Sequence, residues 1–180
     1  GVLALSPPDI LVTGDGRHVA VRTAGGMAIL RDRAGDYVRD TLSEGAGYDG
    51  ALSAIAALPQ ARCSTDLCAL KLPANGRSWR LLVTRSAMLV DRAQFAPECA
   101  AADIVISDRA LPRWCRPQWL KIDRRLLART GGIAINLDSG QLSTVRDGRD
   151  AHPWVIRPTA RWHDADKAQL YRRSNPASLP

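Results

Sequence analysis

Cysteine, histidine and aspartate are the side chains here that could hold a metal or perform acid–base chemistry. The four cysteines fall into two pairs along the chain, Cys63 with Cys68 and Cys99 with Cys115. This spacing favours two local disulfides, Cys63–Cys68 and Cys99–Cys115, and an oxidising compartment. Free buried thiols are the second interpretation. A zinc site is the third, but C-x4-C is wider than the usual C-x2-C knuckle and no histidine lies near either pair.

The histidines and the other acids do not form a catalytic constellation in the sequence. His18 stands alone near the N-terminus, and His152 and His163 lie in a polar segment at the other end. We expect His18 to have a surface or edge-strand role. Asp103 and Asp108 could act as paired acids, but one begins a strand and the other precedes an arginine, so capping or ion pairing is expected. The chain has no G-x-S-x-G elbow and no phosphate loop.

The positive charge is the strongest functional signal in the composition. The net charge is +7, and only three of the 25 basic residues are lysines. Arginine suits phosphate recognition, although a solvated surface is an equally good interpretation. Basic residues and two tryptophans are concentrated in one short segment, a combination suited to single-stranded nucleic acid. The candidate DNA contacts are Arg109, Arg113, Arg116, Lys121, Arg124, Arg125 and Arg129, with Trp114 and Trp119. The alternative is that the tryptophans belong to the core.

Hydrophobic periodicity and turn residues predict an alternation of hairpins and helices. Asn75-Gly76 is a strong hairpin signal, because both residues tolerate the left-handed backbone region. Strands are predicted over 10–13, 18–23, 27–31, 67–72, 78–84, 103–107, 132–137 and 141–146, and helices over 36–47, 51–58, 91–101 and 123–130. This order predicts one layered α/β domain over 1–150. A polar tail follows over 151–180, with Trp154 and Trp162 as its packing residues.

Several segments, in order, resemble the metallo-β-lactamase-like domain of ComEC-type competence proteins. Val12-Thr13-Gly14-Asp15-Gly16 resembles the V-G-Q-G-D turn of the family's first hairpin. Leu81-Leu82-Val83-Thr84 resembles the L-L-L-T-G-D strand, and Ala102–Ile106 the strand before a P-H-H-G-S loop. Leu126–Val145 is similar to the closing helix and hairpin. The resemblance covers roughly residues 10 to 147 and implies an α/β fold of the four-layer αββα sandwich type, complete or truncated.

The metal ligands of that family are absent at each expected place. The H-x-H-x-D-H loop has no counterpart, since 58–70 contains no histidine. Thr84-Arg85-Ser86 stands where T-G-D would supply a bridging aspartate, and Ser107-Asp108-Arg109-Ala110 where P-H-H-G would follow. A serine cannot bridge two metals, and adjacent arginines oppose cation binding. We therefore predict no metal and no cofactor. The altered ligand positions are Ser86, Asp108 and Arg109.

The resemblance implies a function in DNA uptake during natural transformation. We expect a non-catalytic soluble domain of a multi-pass inner-membrane channel, at its periplasmic face. Its implied partners are the membrane-embedded portion of the same channel protein and single-stranded DNA, with no small-molecule substrate. One alternative is a nuclease for the non-transported strand, with an atypical metal site using Asp15, Asp32 or Asp108. The other is a structural cap that does not touch nucleic acid.

Overall fold

A computed structural model describes residues 6–87 and 90–146 of the chain. These residues form a mixed α/β structure with two mixed sheets and three α-helices. The helices are α1 (Asp36–Ala46), α2 (Arg92–Ala101) and α3 (Arg124–Thr130), and a short 3-10 helix covers Ile55–Ala57. The predicted tail over 151–180, with its tryptophans and both of its histidines, lies outside the described residues. None of the described helices has the length and apolar character that a bilayer crossing requires.

Eleven strands are divided between a six-stranded and a five-stranded sheet. The first sheet, in spatial order, contains β11 (Gln141–Thr144), β10 (Ile133–Asn136), β1 (Ile10–Val12), β2 (Val19–Thr23), β3 (Gly26–Ile29) and β4 (Ser53–Ala54). The second contains β5 (Ala61–Cys63), β6 (Leu67–Ala74), β7 (Arg77–Thr84), β8 (Ile104–Ile106) and β9 (Leu120–Ile122). The β3–β4, β7–β8 and β8–β9 pairs are parallel and the others are antiparallel.

Neighbouring predicted strands pair as the hairpins β2–β3, β6–β7 and β10–β11, and β6–β7 is the longest. Its register pairs Leu67 with Thr84 and Ala74 with Arg77. Asn75 and Gly76 form the turn with φ values of 51° and 69°. These left-handed values explain why the Asn-Gly dipeptide identifies the turn in the sequence.

Successive side chains of the strands lie on opposite faces of each sheet. One face of each sheet contributes to a central apolar cluster, which includes Ile10 and Val21 of the first sheet and Leu81 and Ile104 of the second. The opposite face of the first sheet packs with α1. The opposite face of the second sheet packs with α2 through residues such as Val105. Each sheet therefore has one face in the central cluster and the other against a helix, and most of the hydrophobic stabilisation comes from the central cluster.

Both predicted disulfides are present. Cys63 and Cys68 are register partners that join β5 to β6. Cys99 of α2 is bonded to Cys115 in the segment that precedes β9. All four cysteines are therefore committed to structure.

The structure differs from the sequence prediction in its shortest elements. Residues 51–58 do not form an α-helix: they contain the two-residue strand β4 followed by the 3-10 helix. Pairing with β3 supplies hydrogen bonds that a lone helical turn would lack. Strands β5 and β9, of three residues each, were not predicted, because such short runs give too little periodicity to recognise.

Candidate functional site

The candidate site is the place where the ends of β7 and β8 meet the β1–β2 turn. The Thr84 hydroxyl donates to the Ser107 hydroxyl over 2.9 Å, and both side chains are buried. Gly16 packs against this junction with φ +70°: a Cβ there would lie 2.8 Å from Leu127 and 3.0 Å from the Ser107 carbonyl oxygen. Only glycine combines this backbone angle with so close an approach. The fold therefore brings the segments of the resemblance together at one edge.

The side chains of Ser86, Arg85 and Arg109 are held by hydrogen bonds to neighbouring loops. The Ser86 hydroxyl donates to the Asp66 carboxylate. The guanidinium of Arg85 donates to the Ser64 carbonyl oxygen over 2.7 Å, and that of Arg109 donates to the Ala87 carbonyl oxygen over 2.9 Å. These contacts fix the guanidinium groups of Arg85 and Arg109 near the ends of β7 and β8.

Asp108 faces a third arginine. Its Oδ2 lies 3.9 Å from Nη2 of Arg31, which follows β3. Asp108 Oδ1 is buried and has no hydrogen-bond partner within the described part of the chain. The Nε of Arg31 donates to the Arg17 carbonyl oxygen over 2.9 Å, which holds this guanidinium beside the β1–β2 turn. The predicted ion pairing of Asp108 is therefore present.

His18 and Asp15 lie in the same turn and influence each other. Burial lowers the pKa of His18 below 6.5, and the charges of Arg31 and Arg17 lower it further, against an opposing effect of Asp15. Burial alone would raise the pKa of Asp15, but hydrogen bonds from the Thr13 hydroxyl and the Arg17 N–H and nearby positive charges bring it below 3.8. At neutral pH this turn therefore holds a neutral imidazole and an ionised carboxylate.

The described side chains at this edge do not fit a two-metal site of the kind that the resemblance implies. Across residues 6–87 and 90–146, no group of three or more His, Cys, Asp or Glu side chains is placed to hold a metal ion. His18 and Asp108 each have an unpartnered buried atom, but Arg31 acts on both of them. A guanidinium so near two potential ligands repels a divalent cation.

The basic segment contributes both fixed and exposed side chains. Lys121 Nζ donates to the Cys115 carbonyl oxygen over 3.3 Å, and Arg125 donates to the Leu111 carbonyl oxygen over 3.2 Å, so both of them hold the loop before β9. Arg129 is partly buried in α3. The exposed cations of this set are Arg113, Arg116, Arg124 and Arg125, of which Arg125 is held by its bond to Leu111.

The two tryptophans of that segment have different environments. Trp119 is only 7% exposed, and its ring lies 4.8 Å from that of Trp79 in the central cluster. Its prediction as a DNA contact is therefore corrected. The indole packs in the core because it buries its apolar surface in the cluster to which both sheets contribute. Trp114 is half-buried, packs edge-on against Phe95 and lies beneath the Arg92 guanidinium.

Several residues of the site were not identified from the sequence. Arg17, Arg31 and Arg33 come from the first hairpin and the segment after it, far in sequence from Arg85, so no local spacing joins them. Asp123, the first residue of the predicted helix over 123–130, caps α3. Its Oδ1 accepts from the N–H groups of Arg125 and Leu126, while its Oδ2 also accepts from Leu111.

Comparison with known proteins assigns no family or function to this site. The chain matches no family model, no curated protein and no solved structure.

Proposed function

We propose that this chain is a non-catalytic, soluble, metallo-β-lactamase-like domain of a ComEC-type inner-membrane channel, and that it contacts single-stranded DNA during uptake. The proposal includes a four-layer αββα sandwich and a location at the periplasmic face of the membrane, beside the channel's own membrane-embedded portion. The two disulfides are consistent with an oxidising compartment.

The observation that carries the proposal is the chemistry at the ends of β7 and β8. Segments that resemble a hydrolase family in sequence order converge there, and Arg85, Arg109 and Arg31 all make their contacts at this junction. Activation of water by two metals needs carboxylate and imidazole ligands close together. Guanidinium groups instead attract phosphate, so the replacement favours DNA contact without cleavage.

The exposed cations of the basic segment supply a surface for the strand. Arg113, Arg116 and Arg124 are exposed, and the Arg124 N–H donates to the Arg109 carbonyl oxygen over 3.2 Å. This bond connects the basic segment to the site at the end of β8. Trp114, half-buried beside them, has an indole that could stack against a base.

A salt-dependent binding assay tests the proposal. Fluorescence anisotropy of a labelled oligothymidine would be measured over a salt series, with Arg113, Arg116 and Arg124 replaced together by Gln. We expect weaker binding and a log–log salt slope that is shallower by about 2, because each phosphate contact on a single strand contributes roughly 0.7. The matched control replaces Arg62, Lys71 and Arg80, which are exposed on the second sheet, and removes the same charge.

Three outcomes would overturn parts of the proposal. Equal losses in both triple variants would contradict the assigned surface. The absence of binding even at low salt would favour the structural cap. Cleavage of the oligonucleotide with Mn²⁺, abolished by Asp108→Ala, would favour the nuclease.

A further inference from the structure

A cavity of about 310 Å³ lies beside the candidate site. It is lined by residues of four separate segments, which include His18, Arg31, Asp32, Arg33, Thr65 and Arg85. We call it the arginine cavity. Arg31, Arg33 and Arg85 make this wall rich in positive charge, which favours an anion as the ligand.

Two of these guanidinium groups are held in position by the backbone. Arg31 is bonded to the Arg17 carbonyl oxygen and Arg85 to the Ser64 carbonyl oxygen. Arg85 uses one nitrogen in its bond and keeps further N–H donors in a planar fork that matches a phosphate, whereas Arg31 also approaches Asp108 through Nη2 and keeps fewer. An anion therefore meets donors that are already ordered, which lowers the entropy cost of binding.

His18 contributes an imidazole to the cavity wall. Its Nδ1 is buried within the fold and, among the residues that the structure describes, has no hydrogen-bond partner. The Thr65 side chain at the cavity wall adds a hydroxyl that can donate to the same anion.

The nearby carboxylates reduce the positive charge but do not cancel it. Asp108 is paired with Arg31 at 3.9 Å, and Asp15 is hydrogen-bonded within its own turn. Among the described residues that line the cavity, Asp32 is the one carboxylate, and three of the others are arginines. The wall therefore has a net positive charge.

We propose that the arginine cavity binds the terminal phosphate of a nucleic-acid strand. A terminal phosphate carries close to two negative charges and three free oxygens, whereas an internal phosphodiester carries one charge and two such oxygens. Donors that approach from three segments suit the terminal group better. The volume also admits part of the attached nucleotide. This inference rests on the proposed function, since it names the part of the strand that the domain recognises.

The test compares a single-stranded oligonucleotide carrying a 5′-phosphate, the same strand with a 3′-phosphate, and the strand with hydroxyl ends. The 180-residue chain is used, and affinity is measured by anisotropy with inorganic phosphate as a competitor. We expect one phosphorylated end to bind roughly tenfold more tightly than hydroxyl ends, as hydrogen bonds to a charged group imply. We expect Arg33→Gln and Arg85→Gln to abolish that preference and Asp32→Asn to increase it.

The controls separate this inference from the proposed function. Arg113→Gln should weaken all three strands equally, and thermal unfolding of each variant verifies that it is folded. Equal affinity for all three strands, unchanged in the Arg33 variant, would overturn the inference while leaving DNA binding intact. Binding of inorganic phosphate without binding of any strand would overturn both the inference and the proposed DNA contact.

Discussion

Removal of the Asp123 carboxylate should destabilise the domain more than an ordinary helix-cap mutation does. Asp123 is only 4% exposed and accepts three backbone hydrogen bonds, at 3.0 to 3.1 Å, from Leu111, Arg125 and Leu126. Asp123→Ala loses the cap of α3, which costs about 1 kcal/mol, and leaves the buried Leu111 N–H unpaired, which costs about 2 kcal/mol. We expect a loss of about 3 kcal/mol in the free energy of unfolding, measured by urea titration, and a Tm lower by roughly 10 °C.

Asp123→Ser separates the two contributions. Serine is a good N-cap, so it keeps the bonds to α3, but its shorter side chain has no second oxygen for Leu111. We expect about 2 kcal/mol of destabilisation, with faster hydrogen exchange at the Leu111 amide than at the Leu126 amide. If Asp123→Ala remains within about 0.5 kcal/mol of the parent, as an ordinary surface substitution does, the reasoning about the buried carboxylate is wrong.

Two further predictions concern the disulfides and the buried histidine. Replacing Cys99 and Cys115 by Ala should lower the free energy of unfolding by about 3 kcal/mol, and replacing Cys63 and Cys68 should lower it by about 2 kcal/mol. The second loss is smaller because the Cys63–Cys68 bridge closes a shorter loop, which restricts the unfolded chain less. Urea titration without reductant measures both losses, and equal losses would contradict the loop-length argument. His18 has a lowered pKa in the folded state, so the unfolded chain binds its proton first and stability should fall as the pH decreases below 6.5. His18→Gln should flatten that dependence, and an unchanged slope would mean that another group causes it.

The longer elements could be predicted because local signals and tertiary packing agree. Asn75-Gly76 determines a turn whatever surrounds it, and the flanking β6 and β7 have eight residues each over which to show their pattern. In α2, Pro97 did not prevent a helix, since packing of Phe95 and Cys99 against the second sheet stabilises it. Where local signals and tertiary packing agree in this way, the element can be predicted from the sequence.

The short strands and the arginine cavity could not be predicted in this way. Strand β9 is stabilised by its parallel pairing with β8, and a sequence of three residues does not indicate that pairing. Arg31 and Arg85 are more than fifty positions apart, and only the two-sheet arrangement brings them to one cavity. Trp119 appeared to belong to a binding segment, but its pairing with Trp79 depends on the register of β7 and β9, which the sequence does not give locally.

The central claim is that the edge at the ends of β7 and β8 binds anions through guanidinium groups and holds no two-metal centre. Isothermal titration of the intact chain with Mn²⁺, Zn²⁺ and inorganic phosphate, together with elemental analysis of the purified protein, tests it most directly. We predict phosphate binding that Arg85→Gln weakens, and no stoichiometric binding of either cation. Two tightly bound cations per chain, lost in Asp108→Ala, would contradict the claim.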